Sequence, residues 1–126
     1  MKVPVSQTLV RFLEKLGVEC IFGIPGSHIL PVYDGLYDSP VQSVLVKHEQ
    51  AAAFMAGGHA RITGGIGACI TTAGPGATNL VTGIASAYTD NLPVIALTGE
   101  APTHICLLYT SDAADEGVEG WLAGGG

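Results

Sequence analysis

The chain has 126 residues, 48% of them hydrophobic and 13% charged, with a formal net charge of −6. That length suits one compact domain and is too short for two ordinary ones, and no apolar run approaches the ~18 residues of a membrane span. The charge is unevenly placed: residues 1–105 hold seven acids and five Lys or Arg, a net of −2, while the last 21 residues hold four acids and no base, so the body offers no basic footprint for nucleic acid.

From the N-terminus, VSQTLVRFLEKL (5–16) puts Val5, Leu9, Phe12, Leu13 and Leu16 on one helical stripe, with Gly17 as a stop. VECIFGI (18–24) reads as a short buried strand. PGSHILPVYDGL opens with a turn, offers Ser27 as N-cap and continues as a short helix. VQSVLV (41–46) is a second strand and Gln50 to about Ile62 a long helix. IGACITT (66–72) is a third strand ending in the turn AGPG, Pro75 to about Thr89 a helix, and PVIALTG (93–99) a fourth strand.

Apolar strands alternating with helices through short connections predict an α/β fold, a doubly wound parallel sheet covered on both faces. In such sheets functional groups gather at the carboxyl ends of the strands. GIPGS, KHEQ and TAGPGATN all fall there. A charged fraction of 13%, against about 25% in a typical soluble domain, predicts a surface meant to be covered by other domains or subunits. Cys20, Cys69 and Cys106 show no paired or metal spacing and read as reduced thiols. The first residues, MKVPVSQTLVRFLEKLG, contain no signal-peptide core, which points to the cytoplasm.

The motifs divide by chemistry. AGPGATN (73–79) has glycines at 74 and 76 but Asn79 in place of the third, and no acid follows at the distance of a ribose contact. A tight turn with close backbone packing is the favoured reading over nucleotide binding. A metal at His48, Glu49 and His59 is disfavoured, since the helical His-Glu-x-x-His pattern needs a histidine where Ala52 stands. Ser27 and Ser86 lack the setting of a nucleophile elbow. Glu49 carries two readings. One is a carboxylate in the first turn of a helix, worth about 0.3–1 kcal/mol through the dipole; the other is a partly buried acid held to share a proton with a ligand.

Taken together, GVECIFGIPGSHILPVYDGL, HEQAAAFMAGGHARITG and TTAGPGATNLVTGIASAYTDNLPVIALTGE resemble the N-terminal, pyrimidine-binding domain of thiamine-diphosphate-dependent enzymes. The match runs in order and in register over residues 3–104. The nearest group is acetolactate synthase, with benzoylformate and pyruvate decarboxylases behind it. The resemblance implies a transferase of branched-chain amino-acid biosynthesis that decarboxylates a 2-oxoacid such as pyruvate and ligates the product. A simple 2-oxoacid decarboxylase, a standalone pyrimidine-domain subunit and a non-catalytic nucleotide- or flavin-binding module stand as alternatives.

In that family the glutamate of the His-Glu-Gln motif hydrogen-bonds N1′ of the aminopyrimidine. The shared proton equips the 4′-nitrogen to deprotonate thiazolium C2. The resemblance therefore assigns catalysis to Glu49. It places Pro25 and Gly26 in the turn beside the pyrimidine, and Gly74, Pro75, Gly76 and Asn79 in the glycine-rich turn that shapes the cofactor pocket and dimer interface. Asn91 matches a position near FAD in true acetolactate synthases. Mg2+ and the diphosphate are expected on a separate C-terminal domain, with no metal ligands here. A second subunit, in a homodimer or tetramer, is expected to complete the site. His59, Gly57, Ala73 and Glu100 depart from the family's usual Tyr, acid, Ser and Gln.

The segment CLLYTSDAADE, Cys106 to Glu116, breaks the pattern of everything before it. It is similar to the in-frame translation of a transposase adapter end. The expected division is a domain over 1–105 and a non-native tail over 106–126, the chain being an N-terminal fragment inactive by itself.

Overall fold

Four short strands, each followed by a helix or preceded by one, build the domain in a computed structural model that describes residues 3–100. The expected division at residue 105 and the tail lie outside the described residues. In chain order the elements are α1 (Val5–Lys15), β1 (Cys20–Gly23), α2 (Leu30–Tyr37), β2 (Gln42–Leu45) and α3 (Glu49–Thr63). After them come β3 (Gly67–Thr71), α4 (Pro75–Thr78), α5 (Val81–Thr89) and β4 (Val94–Thr98). All pairings are parallel, and the sheet order is β2-β1-β3-β4.

Period-two alternation along the two central strands divides the core. Ile21, Ala68 and Ile70 point to one face, where Val10 and Leu13 of α1 and Leu36 of α2 cover them. Cys20, Phe22 and Cys69 point to the other, against Ala52, Ala53 and Ala56 of α3. The doubly wound parallel α/β fold is thus the observed one. Burial pushes the Cys69 thiol up to about 11, and burial and then the neighbouring Glu19 carboxylate raise Cys20. Both thiols are free and buried, hence protonated and poor nucleophiles at neutral pH.

Several expectations need correction. The 75–89 helix is two pieces: after α4 the chain breaks at Asn79 and Leu80, both still in helical angles, before α5 begins. Ser27 does not cap α2; that helix starts at Leu30 behind Ile29, with no side-chain cap and Pro31 in its first turn. On α1 the buried positions are Val10 and Leu13, while Val5 and Phe12 of the expected stripe are exposed at 84% and 54%. Only the central strands are fully buried; β2 and β4 are edges with exposed positions.

Helix α3 approaches the sheet closely because its inner face is alanine: Ala52, Ala53, Ala56 and Ala60 are all buried. A Cβ placed on Gly67 would lie 2.0 Å from the Ala56 carbonyl oxygen, so the helix backbone rests on the start of β3. Likewise a Cβ on Gly83 of α5 would lie 2.4 Å from Ala53 Cβ. Arg61 of α3 pairs with Asp90 at the end of α5. Gly64 ends α3 in the left-handed conformation, φ 70°, where its N–H bonds the Ala60 carbonyl.

Candidate functional site

In the order β2-β1-β3-β4 the chain steps outward from β1 to β2 and then returns to place β3 on the other side of β1. The crevice of such a sheet lies beyond the carboxyl ends of the strands where the winding reverses, here β1 and β3. Two of the three singled-out turns, 24–27 and 72–76, leave from those ends. The third, after β2, reaches the same place because α3 runs back across β1 and β3.

His48 precedes α3 in extended backbone, and its Nδ1 accepts the Gln50 N–H at 3.1 Å, capping the helix. Glu49 is therefore the first helical residue. Its half-buried carboxylate points at the turn after β3: Asn79 Nδ2 donates to Glu49 Oε2 at 3.0 Å. The second oxygen, Oε1, lies 3.7 Å from where a Cβ on Gly76 would stand. Glu49, Gly76 and Asn79 are thus brought together from elements up to 30 residues apart.

Backbone packing forms the floor. Gly74 sits at φ 64°, a conformation open to glycine, and turns the chain into α4 behind Pro75. A Cβ on Gly76 would meet Thr71 Oγ1 at 2.4 Å, and one on Gly26 would meet Thr72 Cβ at 2.6 Å. Both sites are closed to side chains. AGPGATN is the tight, closely packed turn expected of it. Pro25 is exposed in the same loop as Gly26.

Asn91 stands elsewhere. It follows the last turn of α5 and precedes β4 at φ 52°, at the amino end of the sheet and away from Glu49. His59 is also remote from His48: its ring meets Phe22 edge-on at 6.1 Å, and its Nε2 lies 3.7 Å from Glu19 Oε2. Among the described residues no three His, Cys, Asp or Glu are grouped to hold a metal ion.

Two residues escaped the sequence reading. Thr71 is fully buried and packs on Gly76; Thr72 touches Gly26 and Gly76, and its Oγ1 lies 3.2 Å from His28 Nδ1. The signal available was the pair Thr-Thr at a strand end, directly before a Gly-Pro-Gly turn. What the arrangement can do chemically is limited and specific. It holds one half-buried carboxylate, a hydrogen-bond acceptor, beside a closely packed backbone turn.

Comparison with known proteins places the chain in a family. Residues 3–118 match the family model described as the thiamine pyrophosphate enzyme, N-terminal TPP binding domain. The chain is 56% identical over 100 residues to the probable acetolactate synthase large subunit of Methanocaldococcus jannaschii, covering 79% of this chain and 17% of that protein. It is 55% identical over 100 residues to an acetolactate synthase of Mycobacterium avium (79% and 16%). Against the large subunit of acetolactate synthase isozyme 2 of Escherichia coli K12 it is 54% identical over 95 residues (75% and 17%). The chain thus spans about one sixth of the length of these relatives.

Proposed function

Since the chain belongs to the thiamine pyrophosphate enzymes, as their N-terminal TPP-binding domain, we propose that it holds the aminopyrimidine of thiamine diphosphate in an acetolactate synthase-like carboligase acting on 2-oxoacids. The observation that carries the reading is the Glu49 carboxylate at the winding reversal, with one oxygen bonded to Asn79 and the other facing bare Gly76.

When bound, thiamine diphosphate supplies an electron sink for decarboxylation of a 2-oxoacid such as pyruvate. The protein's part is orientation and one proton. Glu49 would hold the proton shared with N1′, a role open to a half-buried carboxyl at a helix start. Pro25 and Gly26 in one turn and Gly74, Pro75 and Gly76 in the other would hold the pyrimidine. The departures at Gly57, His59 and Ala73 fall on α3 and beside the turn, not on Glu49.

Mg2+ and the diphosphate belong, in this reading, to a further domain outside the present chain. A flavin contacting Asn91 would occupy a separate site at the far end of the sheet. A second subunit covers exposed apolar side chains such as Ile62 at 87% and Tyr88 at 85% exposure. No helix among the described residues is long and apolar enough to cross a membrane, and a cytoplasmic setting fits the reading.

The test is a chimera in which residues 3–100 of this chain replace the matching segment of the M. jannaschii relative. It is expected to form acetolactate from pyruvate with an absolute requirement for thiamine diphosphate. A folded chimera that neither binds the cofactor nor turns over would overturn the proposal.

A further inference from the structure

We infer that Asn79 is a positioning residue that acts through Glu49, holding Oε2 so that Oε1 alone is presented to the ligand; the inference rests on the pyrimidine-site reading above. The Asn79 amide Nδ2 donates to Glu49 Oε2 at 3.0 Å, so the nitrogen of the amide and not its oxygen faces the carboxyl group. The bond spans two elements, from the break after α4 to the first residue of α3.

Asn79 has little freedom to do otherwise. Its backbone N–H is bonded to the Pro75 carbonyl at 2.9 Å, and the next side chain, Leu80, is 1% exposed and anchored in the core. The interruption between α4 and α5 therefore has a consequence: it sets the Asn79 side chain against Glu49. The carboxylate is divided, with one oxygen tied to Asn79 and the other 3.7 Å from where a Cβ on Gly76 would stand. Without the amide the carboxylate, on the first turn of α3 and only half buried, can swing off the ligand edge. This gives Asn79 a role distinct from touching the cofactor itself.

Two readouts test it. In the cofactor-free full chain, a ¹H–¹⁵N correlation spectrum should show the two Asn79 side-chain amide protons widely separated in shift, because one is bonded to a carboxylate. Glu49→Ala should narrow that separation to that of an unbonded primary amide; an unchanged separation overturns the inference. In the chimera loaded with cofactor, Asn79→Ala should lower hydrogen–deuterium exchange at cofactor C2 by about 10- to 100-fold, the usual worth of a bond to a charged group. Asn79→Asp, isosteric but opposed to Glu49, should fall further at neutral pH and recover as the added carboxyl takes up a proton.

In a Glu49→Ala background the Asn79→Ala change should cost nothing more, since a group that acts through a partner has no effect once the partner is gone. Additive losses would mean Asn79 meets the cofactor directly and would contradict the inference. So would an Asn79→Asp variant as active as the parent at neutral pH. Melting curves confirm that each variant is folded, and Asn79→Ser replaces the alanine variant if that one is not. If Glu49→Ala itself exchanges C2 at the parental rate, the pyrimidine reading fails; if only the Asn79 variants do, this inference alone fails.

Discussion

Glu49→Gln in the cofactor-loaded chimera is expected to slow exchange at cofactor C2 by about 10²- to 10⁴-fold, the range typical of a positioned acid–base group. The carboxamide is nearly isosteric, and its oxygen can still accept the Asn79 amide proton that Oε2 accepts now. Helix α3 keeps its His48 cap, which bonds the Gln50 N–H and does not involve the Glu49 side chain. Fold and melting temperature should therefore change little, by no more than the ~0.3–1 kcal/mol that a first-turn carboxylate contributes through the helix dipole. What is lost is the capacity to share an acidic proton at N1′. Cofactor affinity, determined separately, separates a loss of proton sharing from a loss of binding. Exchange at the parental rate would mean that Glu49 is a helix-start carboxylate and nothing more.

The largest expected effect on stability comes from a single methyl group. Gly67→Ala in the full chain puts a Cβ 2.0 Å from the Ala56 carbonyl oxygen and 2.6 Å from its carbon. Those atoms are helix backbone, with no rotamer to move aside, so α3 must lift from β3. Overpacking of this kind costs about 1–3 kcal/mol and at times more, and the backbone contact places Gly67 at the upper end. In a domain of this size each kcal/mol is worth about 4–8 °C in melting temperature. Gly58→Ala is the matched contrast: it lies within α3 with nothing inside 4 Å of the new Cβ. Replacing a helical glycine at an open position should stabilise by about 0.5–1 kcal/mol. Thermal melts of both variants check the pair, and a Gly67→Ala chain as stable as the parent would contradict the packing described.

The alternation of strands and helices was legible because β1 and β3 are short, apolar runs bounded by glycine and proline. From their order came the carboxyl-end rule that singled out Glu49. Other features depend on contacts that no local pattern carries. On α1, apolar residues occur around much of the helix, and the docked side is chosen by α2. Gly35 leaves room there for Val10, whose Cγ2 would lie 3.1 Å from an added Cβ. The stripe through Val5 and Phe12 obeys the helical period equally well and faces outward. The break at Asn79 is also invisible to periodicity, because Asn79 and Leu80 keep helical angles. Its partner Glu49 is 30 residues earlier, and only the sheet order brings the two together. Ser27 has the right chemistry for an N-cap, yet its hydroxyl lies 3.3 Å from His28 Nδ1 and the helix begins three residues later.

A structure of the chimera with thiamine diphosphate bound would show directly whether Glu49 meets the pyrimidine. N1′ of the aminopyrimidine is expected within hydrogen-bond range, about 2.6–3.2 Å, of Glu49 Oε1, with Asn79 still on Oε2 and the ring lying between the turns at Gly26 and Gly76. A bound cofactor whose pyrimidine lies away from Glu49, or whose N1′ is met by another residue, would contradict it.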